Sequence, residues 1–117
     1  VMVDRADGPA YLVDCFRVKG GKRHDYAIHG EGRLKGLPES SGGTLDFRKK
    51  RGVLGRDIGK LRVCDRPDGP WSAAWSDDGM TMRAHFLSPI DAIIVGEGPG
   101  QRSHNEVGVR KDYLLAS

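Results

Sequence analysis

The run Arg48-Lys49-Lys50-Arg51 is the most concentrated chemical feature of this sequence. Four adjacent cations next to glycine-rich sequence are costly to bury, so we expect them on a solvent-exposed turn. Clustered positive charge raises the local concentration of anions, which makes the run a candidate binding site for an anionic ligand. The alternative is a turn whose charges serve only solubility. We expect no nucleic-acid ligand, because the net charge is only +3 and no pattern of base-stacking aromatic residues surrounds the run.

Asp14, Asp25 and His29 form a second candidate group, provided that the fold brings them together. In the strand pairing described below they share one face, because Asp14 lies diagonal to the other two. One interpretation is a metal or acid/base cluster, and the other is a salt-linked structural network shared with Arg23. His24 and His29 are five residues apart, so on a regular strand they point to opposite faces and cannot share a metal.

Cys15 and Cys64 are the two cysteines of the chain. They fall in different predicted strands with apolar neighbours, which favours two buried thiols over a disulfide formed in an oxidising compartment. No Cys-x-x-Cys pair exists, which excludes the usual zinc sites. We expect neither a metal nor another cofactor in this chain.

The elements that position these side chains are short strands, and the clearest pair is a hairpin at residues 71–87. Residues 71–76 and 80–86 each alternate, and Asp78-Gly79 between them is typical of a two-residue hairpin turn. The register follows by counting from the turn: Trp75 with Met82, Ala73 with Ala84, Trp71 with Phe86, Ser76 with Thr81, Ala74 with Arg83, and Ser72 with His85. Trp71 and Trp75 could stack on sugars, but their strand pairing favours burial in the core.

A second hairpin is predicted at residues 11–29. Residues 11–18 are rich in strand formers, Gly20-Gly21 supplies the turn, and residues 23–29 return. A two-residue loop would pair Cys15 with Tyr26 and Val13 with Ile28, which gives an apolar face.

The rest of the sequence indicates more short strands and no helix. The 17 glycines and 6 prolines are spread between short apolar segments, as is typical of all-β folds. Further strands are predicted at 44–47, 61–64, 92–95 and 112–116, with loops at 30–43 and 52–59 and a tight turn at 96–100. We therefore expect one all-β domain, an antiparallel β-sandwich or part of one. No apolar run approaches the roughly 20 residues of a membrane helix, so we expect no membrane partner.

The two ends of the chain suggest a piece of a larger protein. Val1 is not a natural start, and the strand-like Tyr113-Leu-Leu-Ala is followed by no closing signal. A sandwich cut before its last strands exposes unpaired backbone groups at its edges, and these pair readily with another chain. We therefore expect residues 1–117 to be a domain fragment that can form a homodimer through open strand edges.

Residues 14–30, Asp-Cys-Phe-Arg-Val-Lys-Gly-Gly-Lys-Arg-His-Asp-Tyr-Ala-Ile-His-Gly, resemble a stretch of heparinase II/III-like polysaccharide lyases. Members of that family have a similar D-x-F-R-V-x-G-G-x-x-H-D-Y/W pattern in their C-terminal β-sandwich domain. A weaker likeness continues through residues 71–75 and 96–101. Cys15 departs from the aliphatic residue expected at its position.

The resemblance implies a secreted or periplasmic enzyme with an N-terminal helical toroid and a large β-sandwich. Such enzymes cleave uronic-acid polysaccharides, glycosaminoglycans or alginate among them, by β-elimination. It also implies that the catalytic tyrosine and histidines lie upstream of these residues, so we assign no catalytic residue within this chain. Tyr26 is disfavoured as the base, because its predicted partners are core residues. The residues expected to bind an acidic polysaccharide are Arg48, Lys49, Lys50, Arg51 and His29.

Two functional classes therefore remain open. The first is the β-sandwich portion of a polysaccharide lyase, which supports the active-site cleft without the catalytic set. The second is a non-catalytic carbohydrate-binding or assembly module with the same fold.

Overall fold

A computed structural model gives the fold and describes residues 2–3, 8–100 and 109–117. These residues form short antiparallel strands and no helix, so the all-β prediction is confirmed. The strands are β1 (Met2–Val3), β2 (Tyr11–Leu12), β3 (Tyr26–Ile28), β4 (Arg33–Leu34), β5 (Glu39–Ser40), β6 (Arg48–Lys49), β7 (Gly59–Asp65), β8 (Trp71–Asp77), β9 (Met80–Phe86), β10 (Ala92–Pro99) and β11 (Arg110–Ala116). A helix long and apolar enough to cross a membrane does not occur among the described residues.

Two sheets pack against each other as a β-sandwich. The larger sheet has the strand order β3-β11-β10-β7-β6. In the smaller sheet β9 pairs along the whole of β8, while β4 and β5 pair with the two ends of the other edge of β8. β1 and β2 form a separate two-stranded ribbon. Among the described strands, β3 and β6 are the edges of the larger sheet, and the homodimer through open edges stays a prediction.

The β8–β9 hairpin has the register predicted from the sequence, with all six predicted pairs present. Asp78 and Gly79 form its turn with φ values of 45° and 77°, the positive values that this type of turn requires. Trp71 and Trp75 are buried, and the Trp71 ring stacks on Phe86 with centroids 4.0 Å apart. The core interpretation of both tryptophans is therefore confirmed.

The main core lies between the two sheets and takes alternate residues of β7, β8, β10 and β11, because successive side chains of a strand point to opposite faces. Its buried members are Cys64, Trp71, Ala73, Trp75, Ile93, Val95, Leu114 and Ala116. Full burial of one large aliphatic side chain contributes roughly 1.5–3 kcal/mol. On the other face of the larger sheet, Leu61, Val63 and Ile94 form a smaller cluster against Leu54 and Ile58.

The hairpin predicted at residues 11–29 is wrong, because β2 pairs with β1 and β3 pairs with β11. The chain does bend at Gly20-Gly21, whose φ values are 92° and 77°. The segments before and after this bend are linked by side chains and not by a strand ladder. The Tyr26 hydroxyl donates to Asp14 at 3.2 Å, and the centroid of the Tyr26 ring lies 5.8 Å from that of Phe16. Pairing with β11 instead packs Tyr26 and Ile28 against the main core.

The two cysteines have different surroundings. Cys64 is buried and Cys15 is exposed, and both are free thiols. The predicted burial is confirmed for Cys64, whose pKa is raised mainly by desolvation. It is wrong for Cys15, because residues 13–18 are not part of a strand.

Most of the other predicted strands are confirmed, since β7, β10 and β11 contain residues 61–64, 92–95 and 112–116. Three segments differ from the prediction. The strand predicted at 44–47 is wrong, because these residues form no strand and β6 begins only at Arg48. The loop predicted at 30–43 contains β4 and β5, and the tight turn predicted at 96–100 is wrong because β10 continues to Pro99.

Close packing explains a glycine in the middle of β10. A Cβ at Gly96 would lie 2.5 Å from Ile58 Cγ2 and 2.9 Å from Leu61 Cδ2, so a larger residue there would force these side chains to move. The loop predicted at 52–59 is a turn with one bridge between Leu54 and Ile58. Val1 and Gln101, which entered the sequence interpretation, lie outside the described residues.

Candidate anion-binding groove

A broad groove with a volume of about 1020 Å³ opens where the main core ends. Along β7 the positions that face the smaller sheet change from the apolar Cys64 to the cationic Arg62. The cations that line the groove are Arg33, Lys49, Lys50, Arg51, Lys60 and Arg62. Two carboxylates, Glu97 and Asp112, line it as well. We call this surface the basic groove.

The basic groove is open because the strand facing it is interrupted. β4 and β5 follow one another along the same edge of β8, but residues 36–38 leave the ladder between them. Pro38 has no N–H to donate, and Gly36 has a φ of 79°, so this segment does not continue an extended ladder. Gly36 and Leu37 line the groove instead.

Glu97 is the centre of a charged cluster at the floor of the groove. Its carboxylate accepts hydrogen bonds from Lys60 Nζ at 3.1 and 3.2 Å, from Arg33 Nη2 at 3.0 Å and from Arg110 Nε at 3.2 Å. The pKa of Glu97 is lowered to about 2, first by the Lys60 hydrogen bond and, against the opposing effect of burial, by Arg110 and Arg33. Glu97 is therefore a fixed anion at neutral pH.

Asp112 is the second acid of this cluster. Its Oδ2 accepts hydrogen bonds from Arg33 Nε at 2.9 Å and from the Leu34 N–H at 2.7 Å, which ties β11 to β4. Its backbone carbonyl accepts the indole N–H of Trp75 at 3.1 Å. We call this cluster the groove floor; Arg33, Lys60, Glu97 and Asp112 line the groove, and Arg110 joins them through its ion pair with Glu97.

A β-bulge places Lys60 in the groove floor. The ladder between β7 and β10 shifts register between Val95 and Glu97. Lys60 has a φ of 51°, in the left-handed region that a lysine rarely adopts. Bulges re-aim side chains, and an unusual φ persists where surrounding contacts hold it. The hydrogen bonds to Glu97 are such contacts.

The structure divides the basic run between the basic groove and the opposite face of the larger sheet. Lys49, Lys50 and Arg51 line the basic groove. Arg48 lies on the opposite face, where its Nη2 is 2.6 Å from Asp65 Oδ2. All four side chains are exposed, as predicted, but the predicted turn is wrong for Arg48 and Lys49, which form the edge strand β6.

Sequence reasoning missed three cations of the groove, namely Arg33, Lys60 and Arg62. A usable signal exists for two of them, because Lys60 and Arg62 alternate with Leu61 and Val63. Such alternation predicts a strand with one polar face. No comparable signal marks Arg33, which reaches the groove only through tertiary pairing with Glu97 and Asp112.

The strand pairing that would bring Asp14, Asp25 and His29 onto one face is absent, because β3 pairs with β11. Among the described residues, no group of three or more His, Cys, Asp or Glu side chains is arranged to hold a metal. The metal interpretation is therefore wrong, and the acid/base interpretation stays a prediction. Of the alternative salt-linked network, the structure contains the pair between Arg23 Nε and Asp25 Oδ1 at 3.0 Å.

Neither His29 nor Tyr26 is among the described residues that line the basic groove. The His29 ring packs edge-on against Tyr113 with centroids 5.1 Å apart, so a part for His29 in substrate binding stays a prediction. Burial, followed by the hydrogen bond to Asp14 and its charge, raises the pKa of Tyr26. A tyrosine with a raised pKa loses its proton less readily, which makes Tyr26 a poor general base.

The basic groove is lined by side chains of the kind that binds anions. The carboxylates among its described lining residues, Glu97 and Asp112, are both bound to cations. Guanidinium and ammonium groups bind carboxylate, sulfate or phosphate oxygens through charge-assisted hydrogen bonds.

Comparison with known proteins found no relative: no family model, no curated protein and no solved structure matches this chain.

Proposed function

We propose that this chain is the β-sandwich portion of a polysaccharide lyase that acts on uronic-acid polysaccharides by β-elimination. Its own part is to bind the acidic polysaccharide in the basic groove, while the catalytic set lies elsewhere in the enzyme. The observation that carries the proposal is the convergence of six cationic side chains in one groove that contains two carboxylates. This excess of positive charge concentrates a polyanion at the surface.

The open shape of the groove agrees with a polymeric ligand. Its volume of about 1020 Å³ is slightly above the roughly 300–1,000 Å³ found for pockets that enclose small molecules. An open groove accepts a segment from the middle of a long chain, whereas an enclosed pocket accepts only a chain end. The substrate class and the reaction come from the resemblance of residues 14–30 to heparinase II/III-like lyases.

A non-catalytic carbohydrate-binding module is the second candidate. The pairing of Glu97 and Asp112 with cations favours it over a lyase site within this chain, because neither carboxylate is free to accept a proton. Both candidates predict binding of an acidic glycan. They differ in what the parent protein does to that glycan after binding.

Titration calorimetry with alginate and with heparin at low salt tests the binding. We expect the triple variant Lys49→Gln, Lys50→Gln, Arg51→Gln to bind about tenfold more weakly, because three charge-assisted contacts are lost. Arg48→Gln is the matched control, since Arg48 belongs to the same run but is paired with Asp65 on the other face. Equal affinities for the triple variant and the unaltered protein would contradict the proposal.

Near-ultraviolet absorbance of the unsaturated product tests where catalysis takes place. We expect this chain alone to release no such product from any uronate polymer, and the parent enzyme to release it. Activity of the isolated chain that Tyr26→Phe abolishes would show that the catalytic set lies within it. A parent that binds glycan but releases no product would identify the binding module instead.

A further inference from the structure

Lys49 and Arg62 are like charges placed directly opposite each other in the basic groove. They are register partners on β6 and β7, and both line the groove. Directly opposite residues of antiparallel strands share a face, with Cβ atoms about 4.5–5.5 Å apart. Two cations in this position destabilise the sheet unless an anion lies between them.

No carboxylate of the described residues supplies that anion. Glu97 and Asp112, the acids of the groove, are already bound to other cations. Asp65, on the same strand as Arg62, is bound to Arg48. Within the described part of the chain, neither Lys49 nor Arg62 is in an ion pair. Among the described residues, the two cations therefore have no carboxylate to offset their repulsion.

We propose that Lys49 and Arg62 together bind one oxyanion of the acidic polysaccharide, either the carboxylate of a uronate or a sulfate ester. The inference rests on the proposed function and adds a fixed position for one charged group of the glycan along the groove. Arg62 supplies a planar fork of donors that matches two oxygens, and Lys49 supplies a compact charge. Val95 flanks Arg62 on the side opposite Lys49 and keeps that side of the arginine apolar.

The first test measures the melting temperature of the protein without a ligand at low salt. Lys49→Gln and Arg62→Gln each remove the repulsion, so each should raise the melting temperature by about 2 °C. The double variant should gain no more than either single variant, because the repulsion disappears only once. Arg48→Gln removes a partnered charge from the same strand and should give no gain.

The second test is a double-variant cycle on affinity. The probes are alginate, whose anions are all carboxylates, and dextran sulfate, whose anions are all sulfates. Each single variant should bind about fivefold more weakly, and the double variant should bind little more weakly than either, since one shared anion is lost once. Lys50→Gln, a groove cation outside the pair, should reduce affinity by less than either single variant.

The outcomes distinguish binding by the Lys49–Arg62 pair from binding by the basic groove as a whole. Coupling between the Lys49 and Arg62 variants that is seen only with alginate identifies the anion as a carboxylate. Coupling seen only with dextran sulfate identifies it as a sulfate. Either result supports the inference. Additive losses no larger than that of Lys50→Gln overturn it and leave the proposed function intact. If neither polymer binds, the proposed function fails, and inorganic sulfate decides the inference. Sulfate should then raise the melting temperature above that in chloride of equal ionic strength, and both single variants should lose this rise; its absence overturns the pair.

Discussion

The groove floor and the remaining cations of the basic groove, which we call the groove rim, differ in whether their charges have ion-pair partners. In the groove floor, Arg33, Lys60 and Arg110 are each bound to a carboxylate at 2.9–3.2 Å. The groove rim consists of Lys49, Lys50, Arg51 and Arg62, and none of these four is in an ion pair within the described residues. Floor charges hold strands together, whereas rim charges are available to a ligand. The proposed binding therefore rests on the cations that lack a partner and not on every cation in the groove.

The largest expected effect is the loss of an acid from the groove floor. Asp112→Ala should lower the free energy of unfolding by about 3 kcal/mol, because it leaves Arg33 Nε and the Leu34 N–H without their acceptor. Urea denaturation measures the change. Asp112→Asn keeps an acceptor oxygen and should lose less than half as much. A change below about 0.5 kcal/mol for Asp112→Ala would mean that floor and rim do not differ.

Glu97→Gln should lower the free energy of unfolding by about 2 kcal/mol at pH 7, allowing for screening of its partly exposed partners. The pKa of Glu97 falls from an ordinary value of 4.5 to about 2 in the folded protein. A lowered folded pKa gives stability that is fully present above pH 4.5 and is lost as the pH falls through about 2. The difference between the variant and the unaltered protein should therefore shrink over this range in a pH series of thermal denaturation.

Glu39→Gln is the matched control for Glu97→Gln, because Glu39 is exposed on β5. We expect it to change stability little at any of these pH values. A difference for Glu97→Gln that stays constant down to pH 2 would show that packing, rather than the charge of Glu97, accounts for its effect.

The smallest expected effect on stability belongs to the groove rim. Lys50→Gln combined with Arg51→Gln should change the free energy of unfolding by less than about 0.5 kcal/mol, since exposed charges without partners contribute little. The same variant should elute from a heparin column at lower salt. Lys19→Gln combined with Lys22→Gln removes the same charge from an exposed segment outside the groove lining and should shift elution less. A large loss of stability would reveal partners for the rim inside the fold.

Sequence alone was sufficient where pairing is local. The β8–β9 hairpin follows from Asp78-Gly79 and the alternation on either side, because a two-residue turn fixes the register of both strands. The hairpin at residues 11–29 had a comparable turn at Gly20-Gly21 but failed, because β3 pairs with β11 at the other end of the chain. Local turn chemistry does not reveal a more favourable strand partner that is distant in sequence.

For the candidate site, the sequence indicated some of the cations of the basic groove but not the difference between its floor and its rim. The run of four cations was visible, yet its division depends on the register of β6 with β7, which turns Lys49 toward Arg62 and Arg48 toward Asp65. The floor could not be predicted, since Arg33 and Asp112 meet only when β4 and β11 come together. The charges in a sequence do not show which carboxylate pairs with which cationic side chain in the fold.

The place of β11 in the larger sheet has a consequence for synthesis on the ribosome. β11 is the last described strand of the chain, yet it lies between β3 and β10. The β8–β9 hairpin can close as soon as it leaves the exit tunnel, whereas residues 26–28 have no sheet partner until residues 114–116 emerge. Distant pairing of this kind is slow and leaves strand edges uncovered in the meantime. Because Asp112 belongs to β11, the basic groove is completed only when translation has reached this strand.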